Sequence, residues 1–224
     1  LQKITAMSSS MVFESVDHFP TQEGDQLTCP PPLSTYGFQK LAVEYFCKGA
    51  FEQYKLPYTI LRPFNCVGIG EKRALSDKEI TSGNVKLALS HVVPDFAQKI
   101  LKGQNPMHIL GNGNQIRHYT YGGDLAKGIY TGIVHPKALN DDFNLSTPVS
   151  TSVIELAEIM WKKINPGVPF NYVTDNAYLY DVQRRVPSVE KAKNILGYEA
   201  LTPLDVALDE IIPWIKYQIE IGGI

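Results

Sequence analysis

The sequence predicts an α/β fold, and three observations lead there. Residues 3–9 are a short apolar run, with Ile4, Ala6 and Met7 ahead of Ser8, Ser9 and Ser10. A long helical stretch opens at Tyr36-Gly37-Phe38-Gln39-Lys40, and the β-branched run PYTILR follows over 57–62. Strand and helix patterns keep alternating to the C-terminus, as a parallel sheet with crossover helices requires.

Composition narrows the possible functions. The 224 residues allow one large domain or two small ones. A net charge of −2, with Arg184-Arg185 as the one adjacent arginine pair, argues against a nucleic-acid partner. No apolar run approaches the roughly 20 residues of a membrane helix, so no membrane partner is expected. Cys29, Cys47 and Cys66 are odd in number and widely spaced. They predict a reducing, cytoplasmic setting without a disulfide framework. No His/Cys cluster has zinc spacing, so no metal is expected. His91, His108 and His118 are scattered and read as structural.

In chain order, the strand over 3–9 ends in its serines, and ligands of open α/β sheets sit at the carboxyl ends of strands. Residues 14–34 hold four prolines and read as loop. Ser34 or Thr35 caps the next helix, which runs to about Tyr54 with Leu41, Ala42, Tyr45 and Phe46 as its apolar face. Pro63 ends the strand over 57–62. Asn65 then stabilises a turn before Gly68-x-Gly70, contacts a ligand, or does both. Residues 69–84 read as a surface loop. Over 85–103 a helical period is interrupted by Pro94, after which Phe96, Ile100 and Leu101 share a face. A short strand and turn lead to Arg117. Asp124 lies in the first turn of DLAKGIYTGIV, where an acid suits the helix dipole. Residues 142–147 form a strand and turn. Residues 151–163 form a helix with Val153, Leu156, Ala157 and Met160 inward, capped by Ser150, Thr151 or Ser152. The closing helix contains Pro213.

The chemistry concentrates at Tyr36 and Lys40. Four residues apart, they share one helix face. A lysine ammonium beside a tyrosine favours the phenolate form, which suits Tyr36 to exchange a proton with a substrate hydroxyl. Ser9 is placed to hydrogen-bond the same oxygen. With twelve tyrosines in the chain, such a pair arises easily by chance, so its context decides.

That context is SSSMVFE over 8–14, PTQE over 20–23, YGFQK over 36–40 and RPFNCVG over 62–68. MHILGNGNQIRHYTYGGDLA over 107–126 and Asp181…Arg185-x-Pro187 with KAKNILGY follow. In this order the motifs resemble the extended short-chain dehydrogenase/reductase family, the NAD-dependent nucleotide-sugar epimerases, dehydratases and decarboxylases. The resemblance implies a Rossmann-type, doubly wound parallel sheet plus a smaller α/β substrate domain. Residues 1–66 and 118–146 would belong to the first, 67–117 and 147–224 to the second. The family's glycine-rich phosphate loop precedes its serine strand and has no counterpart in these residues, so the chain is expected to correspond to the back two thirds of such an enzyme.

The resemblance also assigns roles. Ser9, Tyr36 and Lys40 would be catalytic. Ser8, Tyr36, Lys40 and Pro63 would contact NAD. Ser10, Asn65, Arg117 and Arg185 would bind the nucleotide-sugar, a UDP-sugar by preference, with the two arginines clamping its diphosphate. A guanidinium can pair with two phosphate oxygens at once. The long helix from Tyr36 would lie in a homodimer interface. After the active-site Ser, the family's dehydratases carry Asp-Glu and its decarboxylases Glu. Here Ser10 and Met11 follow, and a thioether transfers no proton. That favours a 4-epimerase over a dehydrogenase/reductase, a decarboxylase, or a non-catalytic nucleotide-sugar-binding fragment. The chain departs from the pattern at Phe13-Glu14 (Tyr-Gly in the family), Gln39 (Ser) and Ser188 (Asp). Glu14 places an acid close to the site, where it is a candidate proton donor.

Overall fold

A computed structural model describes residues 1–70, 91–177 and 182–223, and the backbone of 80–82 and 85–87. Its strands are β1 (Ile4–Met7), β2 (Tyr58–Pro63), β3 (Cys66–Val67), β4 (Ile80–Ser82), β5 (Val85–Leu87) and β6 (Met107–Leu110). After these come β7 (Ile116–Arg117), β8 (Thr120–Tyr121), β9 (Asp141–Leu145), β10 (Thr151–Ser152) and β11 (Tyr172–Asp175). The α-helices are α1 (Thr35–Tyr54), α2 (Val92–Leu101), α3 (Gly122–Val134), α4 (Val153–Ile164) and α5 (Leu204–Glu220). Backbone contacts divide the chain into two units, residues 1–66, 117–150 and 184–202 in one and the rest in the other.

The first unit is built on a parallel sheet of order β1-β2-β9. Ile4 pairs with Tyr58 and Met7 with Leu61, while Thr59 through Pro63 pair with Asp141 through Leu145. β2 is the middle strand, and Thr59 through Arg62 are fully buried. Such a strand reads as a continuous apolar run, so Arg62 within it demands an acidic partner.

That partner sits on α1. Ser34 caps the helix by accepting from the Gly37 amide, and Lys55, in the left-handed region at φ 56°, ends it. The buried line along α1 is Gly37, Leu41, Glu44 and Cys47. The expected apolar face is therefore corrected: Leu41 is buried, but Tyr45 and Phe46 are 58% and 77% exposed. The line is turned because Glu44 goes inward to meet Arg62, and one-residue steps swing a helix face by about 100°.

The expected domain boundary also moves. Residues 147–150 and 184–202, expected in the substrate domain, join the first unit. Ala192, Leu196, Tyr198 and Ala200 pack with Leu61, Leu125, Phe143 and Leu145 in one core cluster. Each large side chain so buried contributes about 1.5–3 kcal/mol. Thr21 donates to Val186 and accepts from Ser188. Ser188 thus pairs through its backbone. Asp124 accepts from the Thr202 amide at 2.7 Å, which fastens the end of this segment to the first turn of α3.

In the second unit β6 and β11 pair in parallel. Helix α4 opens with a reciprocal cap: Ser152 accepts from the Glu155 amide, and Glu155 from the Ser152 amide. Leu156, Ala157 and Met160 are fully buried, and the Trp161 indole N–H donates to Val168 at 2.9 Å. Pro94 lies in the first turn of α2, with Phe96 and Ile100 buried. β4, within the stretch expected to be loop, pairs antiparallel with β5, which takes the start of the stretch expected to be helical. Residues 71–79 and 83–84 of that loop, and Asp181, lie outside the described residues.

Candidate functional site

The serines close β1 at its carboxyl end. Ser8 is buried and donates its hydroxyl to Glu44 Oε1 at 2.5 Å. This inward bond ties the strand end to α1. Ser9 caps the 3-10 turn Ser10–Phe13 by accepting from the Met11 amide at 3.2 Å. That bond leaves the Ser9 hydroxyl proton to be given elsewhere. Ser10 is buried in the turn.

Helix α1 brings its first two turns to the same strand end. The Lys40 Nζ donates to the Met7 carbonyl at 2.9 Å. It also lies 5.7 Å from the centre of the Tyr36 ring, within cation–π range. The Tyr36 side chain is half exposed. Tyr36, Lys40, Met7 and the adjoining serines therefore form one cluster at the carboxyl edge of the sheet. Gly37 is what lets α1 sit there. A Cβ on it would fall 2.8 Å from the Met11 carbonyl oxygen and 2.7 Å from Pro32 Cβ.

Beneath the cluster runs a buried ion network that the sequence reading did not identify. Arg62, fully buried, donates through Nε and Nη2 to the two Glu44 oxygens, each at 2.7 Å, and through Nη2 to Asp142 at 2.5 Å. Lys191 reaches Asp141 and Asp142 at 2.5 and 3.0 Å. Gln26 donates to Glu44 at 3.3 Å, and the guanidinium lies 5.3 Å from the Phe13 ring centre. Burial works against the charge on Arg62, but Glu44 and Asp142 outweigh it and hold the guanidinium above its ordinary value. Burial alone would raise the Asp142 carboxyl, yet Arg62 and Lys191 hold it down at about 2. The signal was legible: a lone arginine in an apolar strand, and a glutamate one turn after Lys40 on the face of Tyr36.

At the end of β2, Pro63 is half-buried opposite Leu145. Asn65 is in the left-handed region at φ 36° and accepts from the Thr120 amide through its carbonyl. Its Nδ2 is also buried with no partner among the described residues, a donor held ready for an acceptor.

Arg117 and Arg185 share a neighbour in Tyr119. Burial pushes the Tyr119 phenol above its ordinary value, against the pull of both guanidiniums. Both arginines lie in the first unit, where the sequence reading had expected the smaller domain. The pairing of 186 and 188 with Thr21 draws Arg185 there. His118 is buried, with Nδ1 2.9 Å from the Thr147 carbonyl. Burial lowers its pKa despite that bond. This fits the expected structural role. Among the described residues, no three His, Cys, Asp or Glu side chains gather as metal ligands, and no helix is long and apolar enough to cross a membrane.

The model of the NAD dependent epimerase/dehydratase family matches residues 1–146. The chain belongs to that family. Its similarity to a putative UDP-glucose 4-epimerase of Methanocaldococcus jannaschii is 28% identity, over 95% of this chain and 62% of that protein. It is also similar to UDP-glucuronic acid decarboxylase 1 of Xenopus tropicalis, with 24% identity over 84% of the chain and 40% of that protein. Among solved structures, the UDP-glucose 4-epimerase of Thermotoga maritima with UDP-glucose superposes with a TM-score of 0.78 at 26% identity. That match covers 98% of this chain and 65% of the other. The chain thus spans less than two thirds of the relatives it matches. As a family member it has the expected Rossmann-type α/β fold.

Proposed function

We propose that this chain carries the proton-handling centre of an NAD-dependent nucleotide-sugar 4-epimerase acting on a UDP-sugar. The observation that carries the reading is the meeting of Tyr36 and Lys40 at the end of the strand that leads into Ser9, with Lys40 bonded to Met7 and facing the Tyr36 ring. In this reading Tyr36 takes the proton of the sugar C4 hydroxyl and later returns it. Ser9 donates to the same oxygen, and the Lys40 charge stabilises the phenolate. The donor set suits the cofactor: Lys40 uses one of its three N–H bonds on Met7, which leaves two for ribose hydroxyls. Pro63, at the adjoining strand end, lines the same edge. NAD held there would supply the hydride acceptor and donor for the sugar carbon. Asn65, through its buried Nδ2, and Ser10 contact the nucleotide-sugar. Arg117 and Arg185 hold its diphosphate.

Two features support epimerisation over decarboxylation. Met11 has no proton to transfer, and Glu14, the acid of the 8–14 segment, is engaged as an acceptor by Leu33 and Ser34. The exposed Phe38, Tyr45, Phe46 and Tyr54 of α1 support a homodimer through that helix. Cys29, Cys47 and Cys66 form no disulfide, which supports a reducing, cytoplasmic setting. The test is to incubate the full-length protein with NAD and UDP-glucose, then UDP-glucuronic acid, and separate the products. The C4 epimer without net NADH is expected. Release of CO2, or NADH accumulating in step with product, overturns the assignment.

A further inference from the structure

Glu14 is the acid beside the centre that the proposed mechanism does not use. It stands where the family pattern has glycine. Glu14 Oε1 accepts from the Leu33 and Ser34 amides, each at 3.1 Å. Its Oε2 accepts from the Ser34 amide at 3.3 Å and from the Ser34 hydroxyl. With its proton directed to Glu14, the Ser34 oxygen accepts from the Gly37 amide at 3.1 Å and so caps α1. Tyr36 lies between Ser34 and Gly37. A chain of bonds thus runs from Glu14 through Ser34 into the turn that carries Tyr36.

The other end of the same segment carries Ser9. The 3-10 turn Ser10–Phe13 begins at the Ser9 cap and ends at Glu14, whose amide donates to Met11 at 3.2 Å. The Met11 carbonyl also faces Gly37, so the turn and α1 touch with no room for a methyl group between them. One short rigid piece of chain therefore has the serine at its start and the clamp on the tyrosine's helix at its end. The negative charge also faces the N-terminus of α1, where the helix dipole favours it.

We propose that Glu14 is a positioning residue that sets Tyr36 against Ser9 by holding Ser34. It acts as an acceptor and gives no proton in the reaction, which corrects its reading as a candidate proton donor. The inference rests on the role proposed for Tyr36, and the experiment separates the two.

In the full-length protein, Glu14→Ala, Glu14→Gln and Tyr36→Phe are compared by steady-state kinetics and by amide hydrogen exchange over residues 33–38. Glu14→Ala is expected to lower kcat by about 10- to 100-fold, the scale of an ångström-sized misplacement. KM for the nucleotide-sugar should change by less than about twofold, as it does when ground-state binding is untouched. Exchange over 33–38 should quicken while exchange in β2 stays as in the parent. Glu14→Gln keeps an oxygen for the Leu33 and Ser34 amides and should recover most of kcat. Should Glu14→Ala prove too unstable to purify, Glu14→Asp carries the test, its carboxylate one methylene short. Parent-like kcat and exchange in Glu14→Ala (or Glu14→Asp), beside an inactive Tyr36→Phe, overturns the positioning role alone. So does a Gln variant as damaged as Ala. A fully active Tyr36→Phe overturns the reading beneath it, whatever Glu14 does.

Discussion

Replacing Arg62 by Met tests the framework under the site. The change removes both bonds to Glu44 and the bond to Asp142. Glu44 would be left 1% exposed and accepting from Ser8 and Gln26, neither of them charged. Breaking one partner out of a buried ion pair costs about 3–5 kcal/mol, because the remaining charge stays desolvated. A domain is stable by about 5–15 kcal/mol in total, so the variant should be clearly weakened yet able to fold. Removing both charges in Arg62→Met/Glu44→Leu should restore stability to within about 2 kcal/mol of the parent, since an apolar pair of similar volume replaces an ion pair at little cost. Urea unfolding of the two single variants and the double gives the coupling by a double-mutant cycle. Should Arg62→Met cost less than about 1 kcal/mol, the pair behaves as an exposed one. The reasoning that makes it the anchor of Ser8 and α1 would then fail.

Acid should act on the same network at a defined point. The folded Asp142 carboxyl is held at about 2, below its ordinary value, so its contribution is present above that ordinary value. It is lost as pH falls from about 4 to about 2, roughly 2 kcal/mol in all, and Asp142→Asn should remove that limb from a plot of stability against pH. His118 is lowered in the folded state, so the unfolded chain takes up the proton first. Stability should therefore fall below pH ~6.5 by up to about 1.4 kcal/mol per pH unit, and His118→Gln should flatten the slope just below pH ~6.5 in thermal melts. Gly37→Ala forces a methyl group against the Met11 carbonyl, and should cost about 1–3 kcal/mol together with turnover, because Tyr36 is its neighbour. Calorimetric titration with UDP should find Arg117→Ala and Arg185→Ala each weaker by about 1.5–3 kcal/mol; unchanged affinity removes the clamp.

The parts of the fold that local chemistry dictates were readable from the residues. Ser34 ahead of Thr35, the serines after Met7, and Ser152 three residues before Glu155 are local signals, and the elements start there. Helical period located α1 but turned its face wrongly, because apolarity favoured Tyr45 and Phe46 while the fold buries Glu44. That choice depends on Arg62, eighteen residues on, and period alone does not contain it. The segment 184–202 was placed with its sequence neighbours, but the pairing of Thr21 with Val186 and Ser188 is long-range and unmarked locally. Of the candidate site, Tyr36 and Lys40 were legible from spacing and lie together as expected, with Ser9 two residues beyond the carbonyl that holds Lys40. Ser8 was read by position alone, and its inward hydroxyl required knowledge of Glu44.

The central claim is that Tyr36 moves the proton of the reacting hydroxyl. It is tested most directly by Tyr36→Phe in the full-length protein, with turnover and nucleotide-sugar affinity measured on the same preparation. The account predicts turnover lower by roughly 10²–10⁴-fold, the range for a positioned acid/base, with affinity nearly unchanged. Turnover at the parent level in the Phe variant would contradict it.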